Sequence, residues 1–363
     1  MPRRAADLDA SAYHASDHSL SPSSASRRGQ REPGTRRARL LKLFSAVFLI
    51  AAVIVIIFVV KGGKDSDSTS SSAQKKTPQR LCDTTRDASQ RTVVFWQSEV
   101  AGCDKVPDGV THVVFGFALV DGKGRVVPTF QSSDAAIKRC VESLQARCIL
   151  TMGSIGGSTN NAQLSAATDA QAFASSALAV VDKFGFDGLD IDDETVGAEF
   201  NATHVVARIE ATRAALRQRN PALLLSYDAY VGEGEPSFCQ NQANAAYTRC
   251  FPKALLAAVD WINIMAYNVN QDSAGAAAIY DRAINTTFAD WATQLDGDWR
   301  KATIGVCVSK SCAYGPGPSA TVIARWNAFA RQQGHGGMMV YAASGEVAED
   351  FPVTRSVVPR AAT

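Results

Sequence analysis

Between residues 92 and 341 the chain repeats one pattern: a short, nearly unbroken apolar run, then a longer stretch with helical spacing. The runs are 92–96 (TVVFW), 111–118 (THVVFGFA), 147–152 (RCILTM), 186–192 (FDGLDID), 222–227 (ALLLSY), 259–267 (VDWINIMAY), 302–308 (ATIGVCV) and 336–341 (GGMMVY). Strands that are apolar on both faces belong in a parallel sheet covered on both sides, because each crossover helix packs back onto the sheet. The helical stretches include 169–184, with Phe173, Leu178, Val181 and Phe184 on one side. Others are 201–218, ending just before Asn220-Pro221, and about 319–333. Eight strands alternating with helices over about 250 residues predict an α/β fold of the (β/α)8 TIM-barrel type, with its chemistry at the C-terminal ends of the strands. A doubly wound open sheet is the competing arrangement, but no G-x-G-x-x-G or G-x-x-x-x-G-K-[ST] follows any strand.

The N-terminal part has a different character. Residues 43–60 (LFSAVFLIAAVIVIIFVV) are uncharged and long enough to span a bilayer core as a helix. Residues 1–42 carry nine Lys/Arg and four Asp/Glu, a net +5, which leaves −3 for the rest of a chain whose total is +2. Positive charge ahead of the run predicts a cytosolic N-terminus and an exported C-terminal part, a single-pass type II membrane protein. A cleaved signal peptide is the rival reading. Its apolar region is usually shorter, and VVKGGKDSDS lacks a small-residue cleavage site. The expected organisation is a disordered basic tail (1–42), a membrane anchor (43–60), a Ser/Lys-rich linker (61–81) and a catalytic domain (82–363). With the exported part mildly acidic, nucleic-acid binding loses its main physical support.

All eight cysteines (Cys82, Cys103, Cys140, Cys148, Cys239, Cys250, Cys307, Cys312) follow the apolar run. An even set in an oxidising compartment points to disulfides, and the absence of any C-x-x-C argues against a zinc or redox motif. Spacing favours the close pairs Cys140/Cys148, Cys239/Cys250 and Cys307/Cys312, leaving Cys82 with Cys103, although sequence alone does not fix the connectivity. Two N-glycosylation sequons, at Asn201 and Asn285, lie on the same side of the apolar run.

The chemically loudest segment is Asp187-Gly-Leu-Asp-Ile-Asp-Asp-Glu194. Side chains alternate along a strand, so Asp190, Asp192 and Glu194 share a direction, while Leu189 and Ile191 face the covering helices. Carboxyl groups stacked inside a barrel repel one another and are partly desolvated, which keeps at least one protonated above its usual range. A protonated carboxyl near neutral pH is what a general acid needs. A calcium loop is excluded because Thr195 stands where an EF-hand requires Gly. Ser-His-Asp chemistry is poorly supported: only His112, His204 and His335 follow the apolar run, and there is no G-x-S-x-G.

This segment resembles the D-G-x-D-x-D-x-E motif of family 18 glycoside hydrolases, the chitinase family. Ser154-Ile-Gly-Gly157, after the third strand run, resembles the family's S-x-G-G. Met265-Ala-Tyr-Asn268 resembles its M-x-Y-D, with Asn in place of Asp. The resemblance covers roughly residues 91–350. It implies a retaining, substrate-assisted hydrolase of β-1,4-linked N-acetylglucosamine (GlcNAc), acting on chitin or its oligosaccharides, monomeric and needing no cofactor or metal. By the same resemblance Glu194 is the acid, Asp192 orients the acetamido N–H, Asp190 tunes Asp192, and Tyr267 donates to the acetamido carbonyl. Asp187, Ser154, Gly156 and Gly157 are structural. Trp96, Met265, Asn268 and Tyr341 contact substrate, Tyr341 standing where the family usually has Trp. The D-D-E ending at Glu194 also resembles endo-β-N-acetylglucosaminidases that cut the chitobiose core of N-glycans. A non-catalytic lectin that keeps the cleft is a third possibility.

Overall fold

The computed structural model describes residues 82, 87–230, 251–308 and 312–359. The expected tail, anchor and linker lie outside these residues, as do Cys239 and Cys250. Among the described residues no helix is long and apolar enough to cross a membrane.

Eight parallel strands close into a barrel: β1 (Thr92–Trp96), β2 (His112–Val120), β4 (Leu150–Gly156), β5 (Gly188–Asp192), β6 (Leu224–Tyr230), β7 (Trp261–Met265), β8 (Ala302–Cys307) and β9 (Met338–Tyr341). Closure comes from β1, which pairs in parallel with both β2 and β9. A short strand, β3 (Val126–Pro128), pairs antiparallel with the end of β2 and stands outside the barrel count. The longer helices are α1 (Asp134–Ala146), α2 (Asn161–Ala166), α3 (Ala170–Phe184), α4 (Ala202–Arg219), α5 (Ser273–Arg282), α6 (Thr287–Gln294), α7 (Ala320–Ala330) and α8 (Pro352–Val357). The eight strand runs of the sequence are all found, with one shift that matters. The third run ends at residue 152, whereas β4 extends to Gly156, so Ser154 and Gly156 lie within the strand and not after it.

Helix starts follow the local chemistry. Asp169 Oδ1 accepts from the amides of Gln171 (3.1 Å) and Ala172 (3.0 Å), and Asn201 Oδ1 accepts from those of Thr203 and His204. α3 stops at Gly185, whose φ of 72° is the left-handed conformation that closes a helix cheaply only at glycine. α4 carries no clean apolar stripe, because Arg208, Thr212 and Arg213 occupy buried positions among Val205, Ile209 and Leu216.

Strand alternation sorts the side chains into two cores. Val94, Trp96, Leu189, Ile191, Ile262 and Ile264 face outward and pack with the helices. Val93, Phe95, Val114, Met152, Trp261, Met265 and Met339 belong to a separate cluster that fills the barrel.

The disulfides correct the expectation from spacing. Cys82 pairs with Cys148 and Cys103 with Cys140; of the expected close pairs, Cys307–Cys312 is formed and Cys140–Cys148 is not. The reason is helical phase. Cys140 sits on the buried face of α1 with Ile137, Val141 and Leu144, turned toward the short turn Cys103–Lys105, whereas Cys148 lies beyond the helix end at a φ of 59°.

Candidate active site

The barrel register brings a polar layer together. Ser154, Asp190 and Ser226 are adjacent across β4, β5 and β6, and Asp228 lies opposite Asn263 across β6 and β7. Asp190 is fully buried. Its Oδ2 accepts from Ser154 Oγ at 2.8 Å, and its Oδ1 accepts from Ser226 Oγ at 2.6 Å and Asn263 Nδ2 at 3.3 Å. Asn263 Nδ2 also donates to Asp228 Oδ1 at 2.8 Å, and is itself steadied by Trp261 Nε1, which donates to Asn263 Oδ1 at 3.0 Å.

Asp190 and Asp228 share a hydrogen bond. Burial raises both carboxyls. For Asp190 the hydroxyls of Ser226 and Ser154 oppose the rise, whereas for Asp228 the negative charges of Asp190 and Asp192 add to it. The proton of the pair therefore sits on Asp228, which donates to Asp190.

A carboxyl whose proton affinity is raised by folding contributes stability below its unfolded pKa and loses it as pH climbs toward the folded value. Asp228→Asn keeps a donor toward Asp190 and an acceptor for Asn263 with no proton to hold. We expect it to match wild type near pH ~4 and to have the higher Tm near pH ~7.5, where the wild-type carboxyl must keep its proton against the pH. Thermal unfolding at the two pH values checks this; a variant less stable at the higher pH contradicts it.

Asp192, 3% exposed, ends β5, and Glu194 lies two residues further on, half-buried. The ends of β4 and β5 are held in contact: Gly157 N donates to Asp192 O at 2.9 Å. A Cβ at Gly156 would fall 2.2 Å from that same oxygen, at a φ of 118°, so only glycine fits. Asp187 is at the other end of β5, where its Oδ2 accepts from Thr151 N (2.8 Å), Thr151 Oγ1 (3.2 Å) and Gln145 Nε2 (3.0 Å).

Two tyrosines face the carboxylates. Tyr267, 5% exposed, follows β7, and its ring stacks on that of Tyr341 with centroids 5.9 Å apart and planes 13° from parallel. Tyr341 also meets Phe95 edge-on and donates its hydroxyl to Gln97 Oε1 at 2.6 Å. Burial holds the Tyr267 hydroxyl well above its ordinary range, and the negative charge of Asp192 reinforces the effect. Tyr341 is raised for the same reasons, burial first and then Asp192 and Glu194. Both phenols stay protonated, and Tyr267 is available as a neutral donor.

The remaining sequence candidates separate. Met265 is part of the barrel-filling cluster together with Tyr267 and Met339. Asn268, at a φ of 58°, uses its Oδ1 to accept from Tyr314 N (3.0 Å) and so ties down the loop after β8. Trp96 is a correction. It is 1% exposed within the outer core, and its Nε1 donates to Glu99 O at 2.9 Å. Strand parity turns Trp96 away from the barrel and gives the inward place to Phe95. Asn201 and Asn285 are both exposed.

Ser226, Asp228 and Asn263 were not anticipated. A usable signal exists: Ser226-x-Asp228 and Trp261-x-Asn263-x-Met265 alternate with the period of a strand, but the fifth run, 222–227, ends at Tyr227, one residue short of Asp228. At the opposite end of the barrel a cavity of about 540 Å³ is lined by the strand starts, among them Arg91, His112, Asp187 and Trp261. Parallel barrels carry their chemistry at the other end, where the carboxylates and tyrosines converge.

Acidic side chains rising from a buried polar layer to the C-terminal mouth of a parallel barrel are the equipment of carboxylate-dependent glycoside hydrolases. Residues 88–312, more than half of the chain, match the family model described as glycosyl hydrolases family 18, and the chain belongs to that family. A curated relative, Endochitinase 1 of Metarhizium anisopliae, is 26% identical over 192 residues, covering 47% of this chain and 44% of that protein. The alignment thus spans less than half of the relative's length.

Among solved structures, a GH18 chitinase from Pseudoalteromonas aurantia aligns with a TM-score of 0.60 at 17% identity, over 74% of this chain and 98% of that one. A GH18 chitinase from Cycas revoluta in complex with (GlcNAc)3 gives 0.56 at 18%, over 73% and 98%. A chitinase-like agglutinin from Robinia pseudoacacia gives 0.54 at 20%, again over 73% and 98%. At these identities the likeness is one of fold.

Proposed function

We propose that this chain is a retaining, substrate-assisted hydrolase of β-1,4-linked GlcNAc oligomers. The observation that carries the reading is the ladder Asp190–Asp192–Glu194, rooted in a polar layer that holds Asp190 from three sides. Glu194, half-exposed at the mouth, protonates the glycosidic oxygen. The acetamido oxygen of the substrate attacks the anomeric carbon as the bond to the leaving group breaks, giving an oxazolinium ion. Asp192 accepts from the acetamido N–H and faces the positive charge that develops. Asp190 sits beneath it, and the proton held on Asp228 keeps the buried carboxyl layer from carrying a full second charge. Tyr267, kept neutral, donates to the acetamido carbonyl oxygen, and the Tyr341 ring offers a flat face to a sugar. Water then opens the oxazolinium from the side the leaving group left, and Glu194, now ionised, takes up the proton of that water.

Chitin oligomers are favoured over N-glycan cores. The D-D-E likeness to endo-β-N-acetylglucosaminidases rests on Asp193, whose carboxylate is bound to Arg208 behind the strand and is no part of the cleft. Retention of Glu194 favours an enzyme over a lectin. Incubation with a GlcNAc tetramer and, in parallel, with an N-glycosylated protein tests the choice. Shorter oligomers from the first and no released glycan from the second are expected; the reverse pattern contradicts the reading.

We also infer that the domain works on the exported side of a membrane, tethered through 43–60. The charge bias around that run and the three disulfides among the described cysteines support this.

A further inference from the structure

Asp193 stands between the two carboxylates of the cleft and points away from both. It is 1% exposed, and its Oδ2 accepts from an Arg208 Nη atom at 2.7 Å, Arg208 being 4% exposed. Its Oδ1 accepts from Thr195 N at 3.1 Å and Thr195 Oγ1 at 2.7 Å. One carboxylate therefore fixes the residues on either side of Glu194.

Arg208 reaches further. Its second Nη donates to Leu164 O (3.0 Å) and Ala167 O (3.2 Å) at the end of α2, the helix that follows Gly157, and the guanidinium lies 5.9 Å from the Phe173 ring. Ser165 Oγ adds a bond to Glu199 O at 2.7 Å, and Gly157 N bonds Asp192 O. The segments after β4 and β5 are thereby joined from behind by an ion pair that touches nothing in the cleft.

We propose that the Asp193–Arg208 pair is a positioning device for Glu194, clamping the turn that carries the acid against the turn after β4. Taking two charges out of water is expensive, and a well-packed apolar pair of similar volume often folds as well or better. What an apolar pair lacks is direction, and a displacement of about 1 Å at a reacting group costs on the order of 10²-fold in rate. The proposal rests on Glu194 being the acid and adds what holds it in place.

The test uses the full chain and three variants: Asp193→Asn, the double variant Asp193→Leu/Arg208→Met, and Glu194→Gln as reference. Turnover per folded molecule is measured on a GlcNAc tetramer, whose leaving alcohol needs protonation, and on a 4-nitrophenyl glycoside of the GlcNAc disaccharide, whose leaving phenol needs it less. In Asp193→Asn and the double variant, kcat on the tetramer is expected to fall about 10²-fold and on the aryl substrate less than about tenfold, with KM within about twofold of wild type. Should Asp193→Asn fail to fold, the double variant carries the test. Equal losses on the two substrates, a change in KM alone, or wild-type kcat in a folded double variant overturns the proposal. Wild-type turnover by Glu194→Gln would instead overturn the assignment of the acid.

Discussion

Glu194→Gln is expected to lower kcat on GlcNAc oligomers by roughly 10²–10⁴-fold, the range that a positioned general acid contributes. The substitution keeps size and hydrogen-bonding reach and removes only the transferable proton. Glu194 lies past the end of β5 and half-exposed, so the buried layer beneath it is undisturbed and the fold should be unaffected. Oligomer binding is expected to survive, because the Tyr267–Tyr341 pair and Asp192 remain. The variant should therefore titrate with a GlcNAc tetramer by calorimetry while failing to cleave it. Unchanged turnover would move the acid elsewhere.

Tyr267→Phe carries the second large effect. Its hydroxyl is kept protonated chiefly by burial, and its ring is held by stacking on Tyr341, so a neutral donor is in place before substrate arrives. A donor of this kind costs little reorganisation when charge develops in the acetamido group, and losing one costs about 10²–10³ in kcat where such contacts have been removed. The phenyl ring retains the stacking on Tyr341 at 5.9 Å, which separates the lost donor from lost packing. Steady-state kinetics on the tetramer should show the fall in kcat with a smaller change in KM. An equal fall in stability and rate, with kcat per folded molecule preserved, would make the hydroxyl structural.

The barrel was legible in the sequence because parallel strands buried on both faces leave runs that no half-exposed strand would leave, as 147–152 and 222–227 illustrate. The acidic strand was legible for a related reason: alternation of Asp190, Ile191 and Asp192 has one geometric meaning in a barrel. What stayed hidden depended on contacts between distant segments. Trp96 lies one residue from Phe95, and a shift of one position along a strand exchanges cleft for outer core. The pairing of Cys103 with Cys140 depends on the phase of α1, which no spacing count contains. Arg208 looks like an ordinary charged residue on an exposed helix, and only the position of Asp193 behind β5 shows that it is buried. Asp228 escaped because a strand end was placed one residue early, and with it the holder of the shared proton was lost from view.

The proposed mechanism makes the substrate's own acetamido group the nucleophile. The most direct measurement is proton NMR of a GlcNAc tetramer during the first minutes of hydrolysis, before the newly formed reducing end mutarotates. Two displacements at one carbon restore its configuration, so the account predicts that the new reducing end appears as the β anomer and drifts toward equilibrium afterwards. An α anomer at the outset would mean direct attack by water and would contradict it.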